Sequence, residues 1–137
     1  MDTALDTRHA LMLASLDLVA ERGVDIVPRY FARFYAAFPG DEVNFHNRAA
    51  SQGAMVNEML TMLLAQAAGE QWVPMIMRAQ VTTHYTHGEI ALSQYRDALT
   101  LLVDVLAEAA GPGWTDVHDQ AWREEAETLF ALIARHY

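Results

Sequence analysis

The sequence predicts an all-α fold, and three observations carry that prediction. Apolar residues recur at three- and four-residue steps, which is the helical period. No segment alternates polar and apolar residues as a half-buried strand does. Glycine, alone or beside proline, closes most of the periodic segments.

The elements follow in order. Asp6 and Thr7 are placed to cap a first helix that runs to about Glu21 and stops at Gly23. Asp25 and Pro28 stand at the start of a second, where proline is tolerated because the first turn has no hydrogen-bond use for its N–H. Its apolar stripe is Val27, Phe31, Phe34 and Phe38, and Pro39-Gly40 ends it. Residues 40 to 50 read as irregular or short turns, anchored by Phe45. Ser51 is the expected cap of a third helix with Met55, Met59, Met62 and Leu63 on one face, closed by Gly69. Trp72-Val73-Pro74 opens a fourth, with Met77, Val81 and His84 on one stripe and Gly88 after it. Ser93 and Gln94 start a fifth, with Tyr95, Leu99, Leu102, Val103 and Leu106 inward. Gly111-Pro112-Gly113 is the strongest break in the chain. Thr115 then caps a last helix that is expected to bury Val117, Ala121, Trp122, Leu129, Phe130 and Ile133.

About six main helices of unequal length, with an irregular stretch between the second and third, do not suit a symmetric up-down bundle. They suit steep packing around something. No repeat or linker is visible, so residues 1–137 are expected to form one domain.

The composition excludes whole classes of function. There is no cysteine, which removes disulfides, thiolate metal sites and cysteine nucleophiles. Every basic residue is arginine, so Schiff-base chemistry and a P-loop lysine are impossible. The formal net charge of −9 repels phosphate backbones and anionic lipid, and neither a nucleic-acid nor a membrane partner is expected. The first residues are acidic where a secretory signal is basic, and no apolar run approaches the roughly 20 residues that cross a bilayer. A soluble cytoplasmic protein is the expectation. No nucleophile elbow, phosphate loop or dinucleotide fingerprint is present, and the carboxylates Glu124, Glu125 and Glu127 read as the solvated face of the last helix.

Six histidines remain as candidates for chemistry. His84 stands out because it lies on an apolar stripe, where an imidazole is costly to bury without partners for its ring nitrogens. Two readings are open. It is a core histidine bonded to a backbone carbonyl, or it is a metal or haem ligand through one nitrogen while a carbonyl holds the other. His87 lies three residues on and can share its face, but no HExxH or ExxH pattern supplies carboxylates for a bare metal ion. The Met stripe and the aromatic cluster Tyr30, Phe31, Phe34, Tyr35, Phe38 and Phe45 read equally as ordinary core or as the walls of a soft apolar cavity.

Taken in order, these segments resemble the globins, specifically the bacterial single-domain kind. The stretch from Ile26 to Pro39 is similar to the second helix of that family, and Phe45 falls where globins keep a phenylalanine on the haem face. The run Val81-Thr82-Thr83-His84-Tyr85-Thr86-His87-Gly88 resembles the proximal helix with its His-x-x-x-Gly pattern. Gln94-Tyr95, Ala98 to Leu102, Trp114-Thr115 and Ala121-Trp122 resemble the last two helices.

The resemblance implies a globin-like fold around haem b, a pentacoordinate iron and a diatomic gas ligand such as oxygen. It makes His84 the proximal ligand, with His87 the competitor. Phe31, Phe45, Met55, Met59 and Val81 would line the pocket, with Tyr95 beside the proximal ring. Met55 falls at the usual distal position, and Phe31 falls where nitric-oxide-detoxifying relatives carry a tyrosine. That pocket offers a bound gas no hydrogen-bond donor, so a dedicated nitric-oxide dioxygenase is not expected. No reductase segment is present, and electrons would come from an external donor. A haem-free globin-fold module, binding a partner or an apolar ligand, is the alternative.

Overall fold

In the computed structural model, which describes residues 3–44, 48–86 and 90–137, the chain forms six α-helices, with no strand among the described residues. They are α1 (Thr3–Glu21), α2 (Ile26–Ala37), α3 (Arg48–Ala67), α4 (Val73–Thr86), α5 (Leu92–Ala110) and α6 (Asp116–Ala134). Short 3-10 segments, Pro39–Asn44 and Gly111–Gly113, follow α2 and α5. None of the described helices is long and apolar enough to cross a membrane.

The helix ends follow local chemistry. Asp25 has extended backbone and its side chain accepts from the Val27 N–H at 3.1 Å, satisfying one of the first-turn donors of α2. Thr115 opens α6 in a reciprocal capping arrangement, in which the Thr115 N–H donates to His118 Nδ1 at 3.0 Å. Gly111 ends α5 at φ 72° and ψ −150°, a region that side chains with a Cβ scarcely enter. A Cβ there would also stand 2.6 Å from the Arg22 guanidinium.

Three boundaries differ from expectation. The first helix already includes Thr3, ahead of Asp6 and Thr7. The third already includes Arg48, ahead of Ser51. The fifth starts at Leu92 behind an Ala91 cap, not at Ser93 and Gln94. The reason is common to all: a good capping residue does not end a helix when the residues before it can also be helical. Gln94 takes another role, its amide donating to the Asp41 carboxylate and so fastening α5 to the segment after α2.

One contiguous cluster of buried residues joins all six helices. Trp122, Tyr30, Met12, Leu63, Leu102, Leu106 and Leu129 are its largest fully buried members. The Trp122 indole donates to Ser15 Oγ at 2.7 Å, and Ser15 donates to the Met12 carbonyl at 2.6 Å, so this buried polar pair is satisfied. Two expected core positions are not core. Val117 is 56% exposed because it belongs to the first turn of α6, ahead of Ala121 and Trp122, where packing begins. Phe130 is half-buried, with the Arg96 guanidinium 4.1 Å above its ring.

Glu125 is more than solvated surface, contrary to the reading of Glu124-Glu125-Glu127 as one exposed face. It is 1% exposed and accepts from Arg8 at 2.8 Å, tying α6 to α1. Glu124 and Glu127 are exposed as expected.

Candidate functional site

The helical stripes of α3, α4, α5 and α6 face a cavity of about 110 Å³ that they do not fill. α3 contributes Met55, Glu58, Met59 and Met62, and α4 contributes Met77, Gln80, Val81 and His84. Tyr95, Ala98 and Leu99 of α5, with Leu129 and Ile133 of α6, form the rest of the wall. The three- and four-residue spacing of these names is the reason they meet: each helix turns one stripe toward the same space. At the rim, the Gln80 amide approaches the exposed Glu58 carboxylate at 3.4 Å, linking α4 to α3.

His84 stands in the last turn of α4, half-buried. Its Nδ1 lies 2.7 Å from the carbonyl of Gln80, one turn back. A carbonyl only accepts, so Nδ1 must carry the proton. In the neutral tautomer that this bond selects, Nε2 is the unprotonated nitrogen, able to accept a bond or ligate a metal. The Tyr95 ring meets the imidazole edge-on at 5.8 Å and holds it from the α5 side. In turn the Tyr137 ring meets Tyr95 at 5.9 Å, and its hydroxyl donates to the Ile90 carbonyl at 2.7 Å. The Tyr95 hydroxyl itself is buried without a partner at hydrogen-bonding geometry. Burial first, and then the neighbouring Tyr137, push its phenol above the ordinary range.

Five residues expected at the site thus share one cavity: Met55, Met59, Val81, His84 and Tyr95. Phe31 does not line it. It is 2% exposed within an aromatic layer, at 5.5 Å from both Phe34 and Tyr35. Phe45 and His87 lie outside the described residues. Tyr30, next to Phe31 and named in sequence only as one of the aromatic cluster, takes the supporting place that was expected of Phe31. Its hydroxyl donates to the Ala98 carbonyl at 3.0 Å and lies 3.8 Å from Met59 Sδ, so it backs two lining residues. Neighbours on a helix point about 100° apart. The bond to Ala98 ties Tyr30, and so α2, to α5. A buried tyrosine needs a hydroxyl partner where phenylalanine needs none, and that was the available signal. Burial pushes the Tyr30 phenol strongly upward as well.

Among the described residues no three His, Asp or Glu side chains gather as a metal-binding set. A haem iron asks less of the protein, since one axial imidazole suffices. The donor set here suits that demand: one imidazole oriented by a carbonyl, apolar and thioether walls and, among the described residues, a single rim carboxylate. The volume suits it less well, because sites for ligands of even moderate size begin at about 300 Å³. No protein-family model, curated protein or solved structure matches the chain.

Proposed function

We propose that this chain is a haem-binding protein of the globin kind, with His84 as the axial ligand of haem b. The observation that carries the reading is the His84–Gln80 hydrogen bond beside the cavity, which fixes the tautomer and leaves Nε2 to ligate. The bound group would supply an iron with one side open to a diatomic gas. Met55, Met59, Val81 and Leu99 would pack against it and exclude water, and Tyr95 would hold the imidazole in place. Admission requires α3 and α4 to part. The contact that closes them at the rim, Gln80 to Glu58, is exposed and long at 3.4 Å, so it resists little. In a redox role the electrons would come from an external donor.

The test is a titration of the chain with haem, read as a Soret band. A one-to-one complex is expected. His84→Ala should lose the band, and His87→Ala should keep it. The reverse pattern moves the ligand one turn along the chain, and no band with any of the three proteins removes haem from the reading.

A second reading has its own observation. The 110 Å³ cavity is close to the roughly 150 Å³ apolar space that takes up benzene-sized molecules. On that reading the chain is a haem-free module for a small apolar ligand. It predicts no Soret band and a melting temperature raised by such a ligand.

A further inference from the structure

Four of the seven methionines, Met55, Met59, Met62 and Met77, line the one cavity that also holds His84. They come from two helices, and the cavity they surround is unfilled. Methionine placed only as a gap-filler closes such space, because its three rotatable bonds let it do so. Met12 does this elsewhere, fully buried in the core. The four methionines that share a wall with His84 instead border open volume.

Thioether sulfur is a soft, neutral donor, and so is suited to Cu(I) and not to hard cations. Calcium and magnesium need several oxygen ligands, and Glu58 is the only carboxylate on the cavity wall among the described residues. Zinc prefers thiolate, imidazole and carboxylate in fours, and no three His, Asp or Glu meet among the described residues. The imidazole completes a soft set, because its protonated Nδ1 is committed to the Gln80 carbonyl and Nε2 keeps its lone pair. A monovalent ion is also less costly to strip of water in an apolar cavity than a divalent one. Glu58 at the rim and the net charge of −9 draw cations toward the opening.

We propose that the cavity is a binding site for one soft monovalent cation, Cu(I), held by His84 Nε2 and the thioethers of Met55, Met59 and Met77. Met62, on the same wall, is a further donor. The side chains are long and unbranched, with three rotatable bonds each, so their sulfurs have the freedom to turn toward an ion in the cavity. The step is binding alone, with no change of oxidation state. It does not rest on the haem reading; the two groups would compete for one nitrogen.

The experiment uses the haem-free chain under anaerobic conditions, with Cu(I) supplied as its coloured bicinchoninate complex. One equivalent should pass to the protein, and Ag(I), a redox-inert stand-in, should bind one-to-one by calorimetry. Zn(II) should not bind in the cavity. Two variants locate the ion: His84→Ala, and the double variant Met55→Leu with Met77→Leu, whose side chains keep the volume and the fold. Each should weaken Cu(I) binding at least tenfold. Failure of the wild type to take Cu(I) from the chelator overturns the proposal. So does wild-type affinity in both variants, which would put the ion on surface groups. The Soret titration is a separate measurement, so copper without haem, or haem without copper, tells the two readings apart.

Discussion

Ala98→Leu tests whether the cavity is kept for a ligand at the expense of stability. Ala98 lines the cavity from α5 and is 9% exposed, one turn after Tyr95. A fully enclosed 110 Å³ at about 24 cal/mol per Å³ would cost about 2.6 kcal/mol, which sets the ceiling on what filling this partly open cavity can return. Leucine adds three carbons, worth about 2.4 kcal/mol if all are buried. Fixing its rotamer costs about 0.5–1 kcal/mol, which leaves a net gain of about 1.5 kcal/mol. For a chain of 137 residues the unfolding entropy makes that a rise of about 5 °C in Tm. The Tyr30 bond at this position is to the backbone carbonyl, so it survives the substitution. Thermal melting of the ligand-free protein measures the gain, and the Soret titration measures the loss of haem uptake that should accompany it. A lower Tm, or an unchanged Tm with haem uptake intact, would refute the reasoning, because the Ala98 Cβ would then not face free space.

Two further predictions concern the buried ion pair and the buried phenols. Arg8→Ala strands the Glu125 carboxylate, which is 1% exposed and already has one oxygen without a partner; urea unfolding should show a loss of about 3 kcal/mol. Replacing both partners, Arg8→Met with Glu125→Leu, should recover most of it, and a single-variant cost under about 1 kcal/mol would show that the ion pair is not needed. The phenols of Tyr30 and Tyr95 are both held above their ordinary value of about 10, chiefly by burial. The unfolded chain therefore loses these protons first, so stability is complete below about pH 10 and falls as pH rises beyond it. Tyr30→Phe should flatten that alkaline slope in unfolding measured from pH 9 to 12, and an unchanged slope would sink the assignment.

Much of the architecture was legible in the chain. The three- and four-residue apolar spacing placed all six helices, and Gly23, Gly69 and Gly111-Pro112-Gly113 marked three of their ends. Asp25 and Thr115 were readable as caps because a short polar side chain before a periodic run has a donor to satisfy. Periodicity fixes which residues share a face, so Met55 with Met59, and Val81 with His84, could be paired before any fold was known. Their starting points were less legible, since helix propagation into Arg48 or Leu92 depends on what the neighbouring turns pack against.

What the sequence by itself determined is a set of helices, each with one apolar stripe, and a single histidine whose place on such a stripe called for a partner. Tertiary structure alone decided which stripes face one another. That Met77 and Met55 border the same space as Tyr95 follows from how α3, α4 and α5 are packed, and no local rule relates residues on different helices. The rotation of α2 is of the same kind: Tyr30 reaches Ala98 and Met59 while Phe31 is held in an aromatic layer, and the Tyr30 hydroxyl bonds a carbonyl 68 residues away. Glu125 reads in sequence as one more exposed carboxylate, and only the approach of α1 brings Arg8 to it and buries it. Helical spacing is a short-range consequence of backbone hydrogen bonding, whereas volumes left empty and charges left buried arise only where distant segments meet.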